Sequence, residues 1–356
     1  MSGPMLVCHG GAGHTAKDQP GVDQAADAGW TILNAGGSAV DAVIAAVQVM
    51  EDDPVLNAGT GGRKRADGSV QLDAAIATSD GRLGAIMAIE DTPNPIQVAA
   101  GLLDQSIHIL VGEGARSWAD GEGYPNAQVI GSDSPSGNDT VGCVAIDQHG
   151  LMAVASSTGG CTGRPRGRVG DTPLWGPGFW VDQNVALAAT GIGEEITLKM
   201  LCHRVAIHPG SLQEKLQHGL SLFESSIEVG LIGITAEGEG LGLGRYERIF
   251  KVFSEVKEGK EFYFYNLLNK VEFPSNIDSS LLDTYIVQSR EPLTTTSFNI
   301  YGNIHSWWLL FLMNKDTLKS RFYVEGGDQL EYILPSKVSL IYQQITKSTV
   351  FNNKHF

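Results

Sequence analysis

Basic residues are scarce in this chain: 25 Lys and Arg face 40 Asp and Glu, a formal net charge of −15 over 356 residues. Phosphate backbones and anionic lipid surfaces are bound through clustered Lys and Arg, and no basic stripe offsets the deficit, so no nucleic-acid or membrane partner is expected. Cysteine is sparse too. Cys8, Cys143, Cys161 and Cys202 are scattered without a CxxC pair, a pattern that suggests neither a disulfide framework nor a zinc site and fits reduced thiols in a cytoplasmic protein. The opening MSGPMLVCHGG lacks the charged n-region and long apolar h-region of a signal peptide, and the apolar runs nearby are far shorter than the roughly 20 residues that span a bilayer. A cytoplasmic location is the expectation. The nine histidines show no metal-ligand spacing, which argues against metal-dependent hydrolysis.

Alanine is missing altogether from residues 251–356, which also hold only four of the 44 glycines and most of the Phe and Tyr. Lys plus Arg equals Asp plus Glu there at 11 each, so the whole −15 belongs to residues 1–250. This break marks a domain boundary. Runs such as Glu261-Phe262-Tyr263-Phe264-Tyr265 and Lys337 to Tyr342 are β-prone, and Ile304 to Leu312 is a short apolar block. The tail therefore reads as a small, mostly β appendage without a chemical motif.

Within residues 1–250 the periodicity alternates. Leu6 to His9 reads as a short buried strand, Ala25 to Asn34 and Ala39 to Met50 as helices, and Val70 to Asp73 and Leu83 to Ile89 as strands. Asn94-Pro95-Ile96 opens a helix with proline in its first turn. Two strands follow Thr140, then helical patterns around Glu195–Val205 and Leu212–Ser225, then a hairpin signal in VGLIGITAEGEGLGLG. Helix layers packed on antiparallel sheets fit this order.

The richest stretch is Asp139-Thr140-Val141-Gly142. A run of loop formers, Gly131 to Asn138, leads into the alternating TVGCVAID, so a loop feeds a strand at Thr140. By itself this is an ordinary loop-to-strand junction. Further segments follow in order: Ser157-Thr158-Gly159-Gly160, Gly167-Arg168-Val169-Gly170-Asp171, and Ala189-Thr190-Gly191-Ile192-Gly193-Glu194. Upstream stand His9-Gly10-Gly11-Ala12-Gly13, the Glu51 to Gly61 segment, and Leu110 to Ala115. With this ordered set, from about Met5 to about Glu247, the sequence resembles the Ntn-hydrolase family of plant-type asparaginases, isoaspartyl peptidases and glycosylasparaginases, whose members cleave themselves before a threonine.

The resemblance implies an αββα sandwich over residues 1–250, cut into an alpha subunit (1–139) and a beta subunit that starts at Thr140. A threonine hydroxyl is a weak nucleophile, whereas a free α-amino group on the same residue has a pKa of about 8 and can take the hydroxyl proton. Thr140 would thus be attacker and base-bearer. Before maturation the same hydroxyl would attack the Asp139 carbonyl, with Gly10 supporting the geometry. Thr158 would hydrogen-bond the Thr140 hydroxyl, and Thr190 with Gly191 would form the oxyanion pair, with Gly193 lining the pocket. Arg168 and Asp171 would hold the α-carboxylate and α-ammonium groups of an aspartyl unit, although such a pair is also a common surface ion pair. His9, beside the glycines, reads as structural.

No cofactor is implied, apart from a structural sodium ion held by backbone carbonyls of Glu51, Asp53, Leu56, Ala58 and Thr60 in the loop that contains Asn57. The substrate would be a small molecule or dipeptide: a β-aspartyl peptide, L-asparagine or the asparagine–sugar linkage, which differ only in the leaving group. Asp139 resembles glycosylasparaginases and Ser157-Thr158-Gly159-Gly160 the isoaspartyl peptidases; the latter are favoured. A taspase-like endopeptidase would not need the ammonium acceptor Asp171, and a degenerate binding module would not need the nucleophile. The family implies a homodimer of cleaved αβ units. One departure stands out: where the family continues with a short closing segment after Gly244, Arg245-Tyr246-Glu247-Arg248 leads into the unrelated tail, so the closing strand has to be supplied differently.

Overall fold

The computed structural model describes residues 3–12, 19–134, 139–224, 226–244, 250–256, 260–261, 277–302, 306–318 and 323–338. Contacts divide the chain into two compact units, Met1–Phe264 and Tyr265–Phe356. The architecture is mixed α+β throughout.

The first unit opens with β1 (Met5–His9), α1 (Gln19–Asn34) and α2 (Ala39–Asp52), continues through β2 (Leu72–Thr78), β3 (Leu83–Ile89) and α3 (Pro95–Gly101), then β4 (Ile109–Val111) and α4 (Gly112–Gly121). After Thr140 come β5 (Val141–Ile146), β6 (Met152–Thr158), β7 (Phe179–Val181), β8 (Val185–Gly191), α5 (Gly193–Lys199), α6 (Leu201–Ile207) and α7 (Leu212–Ser221). The hairpin signal is β9 (Val229–Thr235) and β10 (Gly240–Gly244), followed by β11 (Phe250–Val256) and β12 (Lys260–Glu261). One sheet has eight strands in the order β12-β11-β1-β5-β6-β2-β3-β4, and a second has four in the order β10-β9-β8-β7.

Strand alternation decides how these elements stack, because successive side chains leave opposite faces. In β1, Leu6 and Cys8 join a core with Ala25, Ala26, Val43 and Val47 of α1 and α2. Met5 and Val7 point the other way, into a core shared with Ala186, Ala188, Ile232 and Ile234 of the second sheet. The far face of that sheet, Leu187, Ala189 and Leu231, packs on Ile196, Leu201, Val205 and Leu216 of α5–α7. Helices thus cover the outer face of each sheet, and the sheets face each other through a dry core. Such a core holds the strand ends rigidly, since protein interiors pack as densely as organic crystals.

The missing closing strand comes from beyond the composition break. β11 pairs antiparallel with all five residues of β1, from Met5↔Ser254 to His9↔Phe250. The sequence boundary at 250 therefore falls inside the first unit, whose last described strands are β11 and β12.

Among its described residues, the second unit mixes helices and strands rather than being mostly β as the sequence suggests. It has its own small core: Val287, Leu293, Leu310, Leu318, Val324 and Leu330. Short antiparallel pairs, β13 (Leu282–Ile286) with β16 (Gln329–Ile333) and β14 (Glu291–Pro292) with β15 (Tyr323–Val324), accompany α8 (Leu293–Tyr301), α9 (Trp307–Met313) and α10 (Lys315–Leu318). The described part of the apolar block Ile304 to Leu312 lies in α9, which buries Leu309, Leu310 and Leu312 on a helical spacing. The β-prone runs after Glu261 and after Val338 lie outside the described residues.

Candidate active site

Thr140 sits where the two sheets meet at one end. It immediately precedes β5, so the strand ladder fixes its backbone: Val141 pairs with Ser157 on β6. Its neighbour across the gap is Thr190, the penultimate residue of β8. The Thr140 backbone N–H donates to Thr190 Oγ1 at 3.2 Å, a bond that joins the sheets at the site. Of the residues expected to act, Asp139, Thr140, Thr158, Arg168, Asp171, Gly191 and Gly193 line one narrow, open cleft. Gly10 is buried just beyond β1, whose His9 lies opposite Gly142, and does not line the cleft.

The Asp139 carbonyl, the bond expected to be cut, is gripped by two donors. Thr158 Oγ1 donates to it at 3.0 Å and Asn57 Nδ2 at 3.0 Å. Thr158 thus contacts the carbonyl rather than the Thr140 hydroxyl, contrary to expectation. The physical reason is that the intact chain places the 139 carbonyl between the β6 terminus and the 51–61 loop. The Thr140 hydroxyl instead bonds the Thr172 hydroxyl at 2.9 Å. Sequence reading missed Thr172, and it saw Asn57 only as part of a cation loop.

Asn57 is buried and doubly anchored: Nδ2 also donates to Gly160 O at 2.7 Å, while its own carbonyl accepts from Gly159 N. Beneath Gly160 lies the buried Arg65, whose Nη2 donates to Gln71 O at 3.0 Å. A Cβ on Gly160 would stand 2.2 Å from Arg65 Nη1, so only glycine lets the guanidinium lie flush under the Ser-Thr-Gly-Gly turn.

Arg168 and Asp171 both lie beside Gly193. A Cβ on Gly193 would come within 2.8 Å of Asp171 Oδ1 and 2.9 Å of Arg168 Nη2, so glycine is what leaves the pair open to the cleft. Arg168 spends one edge of its fork on Glu194, with Nε and Nη2 donating at 3.1 and 2.9 Å. That pairing was not foreseen, and it holds the Glu194 carboxyl below the usual carboxylate range. A carboxylate entering the cleft would meet a guanidinium already oriented by Glu194.

Asp171 is buried, and its Oδ2 takes no hydrogen bond among the described residues. Burial pushes its carboxyl up to about 7, with Arg168 pulling in the opposite direction. Nearby Asp73 on β2 is buried as well, and burial pushes its carboxyl up to about 6 while its Oδ1 accepts from Ala88 N. An incoming ammonium group would supply the partner that Asp171 lacks.

The cost of keeping this site can be measured. The native chain holds the Asp171 proton up to about pH 7, whereas an unfolded carboxyl releases it near 3.8, so stability falls as pH rises through that window. Asp171→Asn removes the penalty. The variant should melt above wild type at pH 8, by at most about 4 kcal/mol, with the gap closing as pH falls toward 4, and should lose affinity for an amino-acid substrate. Equal melting temperatures at pH 8 would contradict a carboxyl whose burial raises its pKa.

The loop after α2 carries the backbone oxygens on which the sodium expectation rests. The carbonyls of Glu51, Asp53, Leu56 and Ala58 accept from Thr60 Oγ1, Leu56 N, Ala58 N and Gly61 N, respectively, which leaves each a second lone pair. Glu51 also uses its side chain: Oε1 accepts from Ile96 N at the start of α3, and burial pushes this carboxyl up to about 8.

A threonine at the junction of two packed sheets thus has two donors on the preceding carbonyl and an arginine–aspartate pair beside it in one cleft. A family profile described as asparaginase matches residues 2–131 and 126–243. Among curated proteins, the isoaspartyl peptidase/L-asparaginase of Danio rerio is 34% identical over 292 residues, covering 72% of this chain and 93% of that protein. The Homo sapiens protein of the same name is 32% identical over 294 residues, covering 72% and 94%. The N(4)-(beta-N-acetylglucosaminyl)-L-asparaginase of Elizabethkingia miricola is 34% identical over 197 residues, covering 49% and 58%. The chain belongs to the asparaginase family.

Proposed function

We propose that this chain is an Ntn-type αββα hydrolase that cleaves itself before Thr140 and then hydrolyses β-aspartyl (isoaspartyl) peptides and L-asparagine. The observation that carries the reading is the buried Asp171 carboxyl, its Oδ2 without a hydrogen bond, beside Arg168 in the same cleft as Thr140. The names of the relatives from Danio rerio and Homo sapiens support it.

In the intact chain, Thr140 Oγ attacks the Asp139 carbonyl carbon. The carbonyl oxygen becomes an oxyanion already faced by Thr158 Oγ1 and Asn57 Nδ2, preorganised donors of the kind that stabilise such charge. The Thr140 nitrogen leaves as an amine and an ester links Asp139 to Thr140 Oγ. Water opens that ester, giving the Asp139 carboxylate and a free Thr140 hydroxyl and amine. In turnover the amine takes the hydroxyl proton as Thr140 Oγ attacks the side-chain carbonyl of the substrate. Asp171 and Arg168 fix the α-ammonium and α-carboxylate, so the attack is effectively intramolecular. Thr190 Oγ1, which accepts from Thr140 N, keeps its own proton for the developing oxyanion, with Gly191 N–H beside it. The leaving amine departs protonated and water releases aspartate.

The loop carbonyls from Glu51 to Thr60 would hold a sodium ion that stiffens the support of Asn57; no chemical step passes through it. We also propose a homodimer of cleaved units acting in the cytoplasm. Among the described residues no helix is long and apolar enough to cross a membrane.

Glycosylasparaginase is the second reading, favoured by Asp139 before the nucleophile and by the Elizabethkingia miricola relative. Steady-state kinetics on a β-aspartyl dipeptide, L-asparagine and asparagine-linked N-acetylglucosamine separate the two. The first two should be hydrolysed, with kcat/KM for the glycosylated substrate at least tenfold below the dipeptide. The reverse order would replace the primary reading with the second.

A further inference from the structure

The hydroxyl that touches the nucleophile is not one that the sequence motifs single out. Thr172 Oγ1 lies 2.9 Å from Thr140 Oγ1. Among the described residues, this is the single hydrogen bond recorded for either hydroxyl. Thr172 is only 1% exposed, so water does not offer the Thr140 oxygen an equivalent partner from that side. Thr158 is committed to the Asp139 carbonyl and Thr190 to the Thr140 amide. Thr172 alone is left to orient the attacking oxygen.

Its backbone is held firmly enough to do so. Leu174 N donates to Asp171 O at 2.9 Å, Gly178 N to Leu174 O at 3.1 Å, and Ala189 N on β8 to Gly178 O at 2.8 Å. A Cβ on Gly178 would stand 2.1 Å from Asp171 O and 3.0 Å from Thr172 Cα, so the 171–172 peptide lies directly against that glycine. The same peptide carries Asp171 into the cleft. Consecutive residues therefore hold the two things that must meet: Asp171 faces the position for the substrate ammonium, and Thr172 holds the reacting oxygen.

We propose that Thr172 is a catalytic residue that sets the orientation of the Thr140 hydroxyl in both self-cleavage and turnover. This rests on Thr140 being the nucleophile. Thr172 undergoes no covalent change; its hydroxyl fixes the side-chain rotamer of Thr140, and the proton released on attack goes to the leaving nitrogen in self-cleavage and to the Thr140 amine in turnover. Fixing a reacting atom acts on the chemical step and leaves ground-state binding by Arg168 and Asp171 untouched.

The test compares wild type, Thr172→Val, Thr172→Ser and Thr140→Ala by intact mass over time and by kinetics on a β-aspartyl dipeptide. Thr172→Val has nearly the same shape but no hydroxyl. It should slow self-cleavage about tenfold or more, and in the matured fraction lower kcat about tenfold with KM changed less than threefold, the scale of one lost hydrogen bond to a reacting group. Thr172→Ser should restore both. Should the valine variant fail to fold, Thr172→Ala is read the same way. Wild-type rates in the hydroxyl-free variant would overturn the proposal, as would a loss confined to KM or a serine variant as slow as valine. A wild-type chain that neither self-cleaves nor turns over, like Thr140→Ala, would overturn the nucleophile assignment and the role of Thr172 with it.

Discussion

Thr140→Ala leaves a full-length chain that does not hydrolyse a β-aspartyl dipeptide. On the proposed mechanism the substitution removes the attacking oxygen, and by preventing cleavage it would also withhold the amine that serves as base. Two functions of one residue are lost together, so the effect resembles removal of a whole nucleophile–base pair, on the order of 10⁶-fold in kcat. Folding should survive, because alanine keeps the Thr140 backbone and Cβ and removes only the methyl and the hydroxyl that bonds Thr172. Unchanged hydrolysis by this variant would mean that another group attacks.

Asn57→Ala gives the second large effect and acts on self-cleavage. Asn57 Nδ2 is one of two donors on the Asp139 carbonyl oxygen. Loss of a buried, preorganised donor on a developing oxyanion costs about 10²–10³ in rate. The same side chain also bonds Gly160 O, which then loses a buried partner, so a stability loss of about 1–3 kcal/mol accompanies the kinetic one. The two effects separate by assay: thermal melting reads the Gly160 bond, and the time course of chain cleavage reads the oxyanion donor. Thr158→Val should slow cleavage similarly through the other donor. Cleavage at the wild-type rate in Asn57→Ala would rule out this carbonyl geometry as the reactive one.

The legible parts of this chain are those with local periodicity. TVGCVAID announces β5 because apolar residues alternate directly after a loop, and Leu83–Ile89 matches β3 end to end. The helical pattern around Glu195–Val205 is really two helices, α5 and α6. Met200 breaks them with a φ of 51°, a left-handed conformation that methionine composition does not advertise. Strand β2 extends to Thr78 through Ala74, Ala75 and Ala77, residues of weak strand propensity that the two neighbouring strands hold in place.

At the site, the ordered motifs single out Thr140, Arg168, Asp171 and Gly193 in the sequence alone. The contacts between them were hidden. Thr172 and Glu194 meet partners 32 and 26 residues away, distances set by sheet packing rather than by any spacing rule. The composition break at 250 was equally misleading as a boundary. Strand pairing follows the open edge of β1, and β11 fills it regardless of the composition of the segment that carries it.

Intact mass with N-terminal sequencing of the purified wild-type chain, followed through incubation at neutral pH, is the decisive measurement. The site described above predicts two fragments, residues 1–139 and 140–356, the second beginning at Thr140, with dipeptide hydrolysis rising in step with cleavage. A single 356-residue chain that persists through prolonged incubation, or cleavage that begins at any other residue, would contradict it.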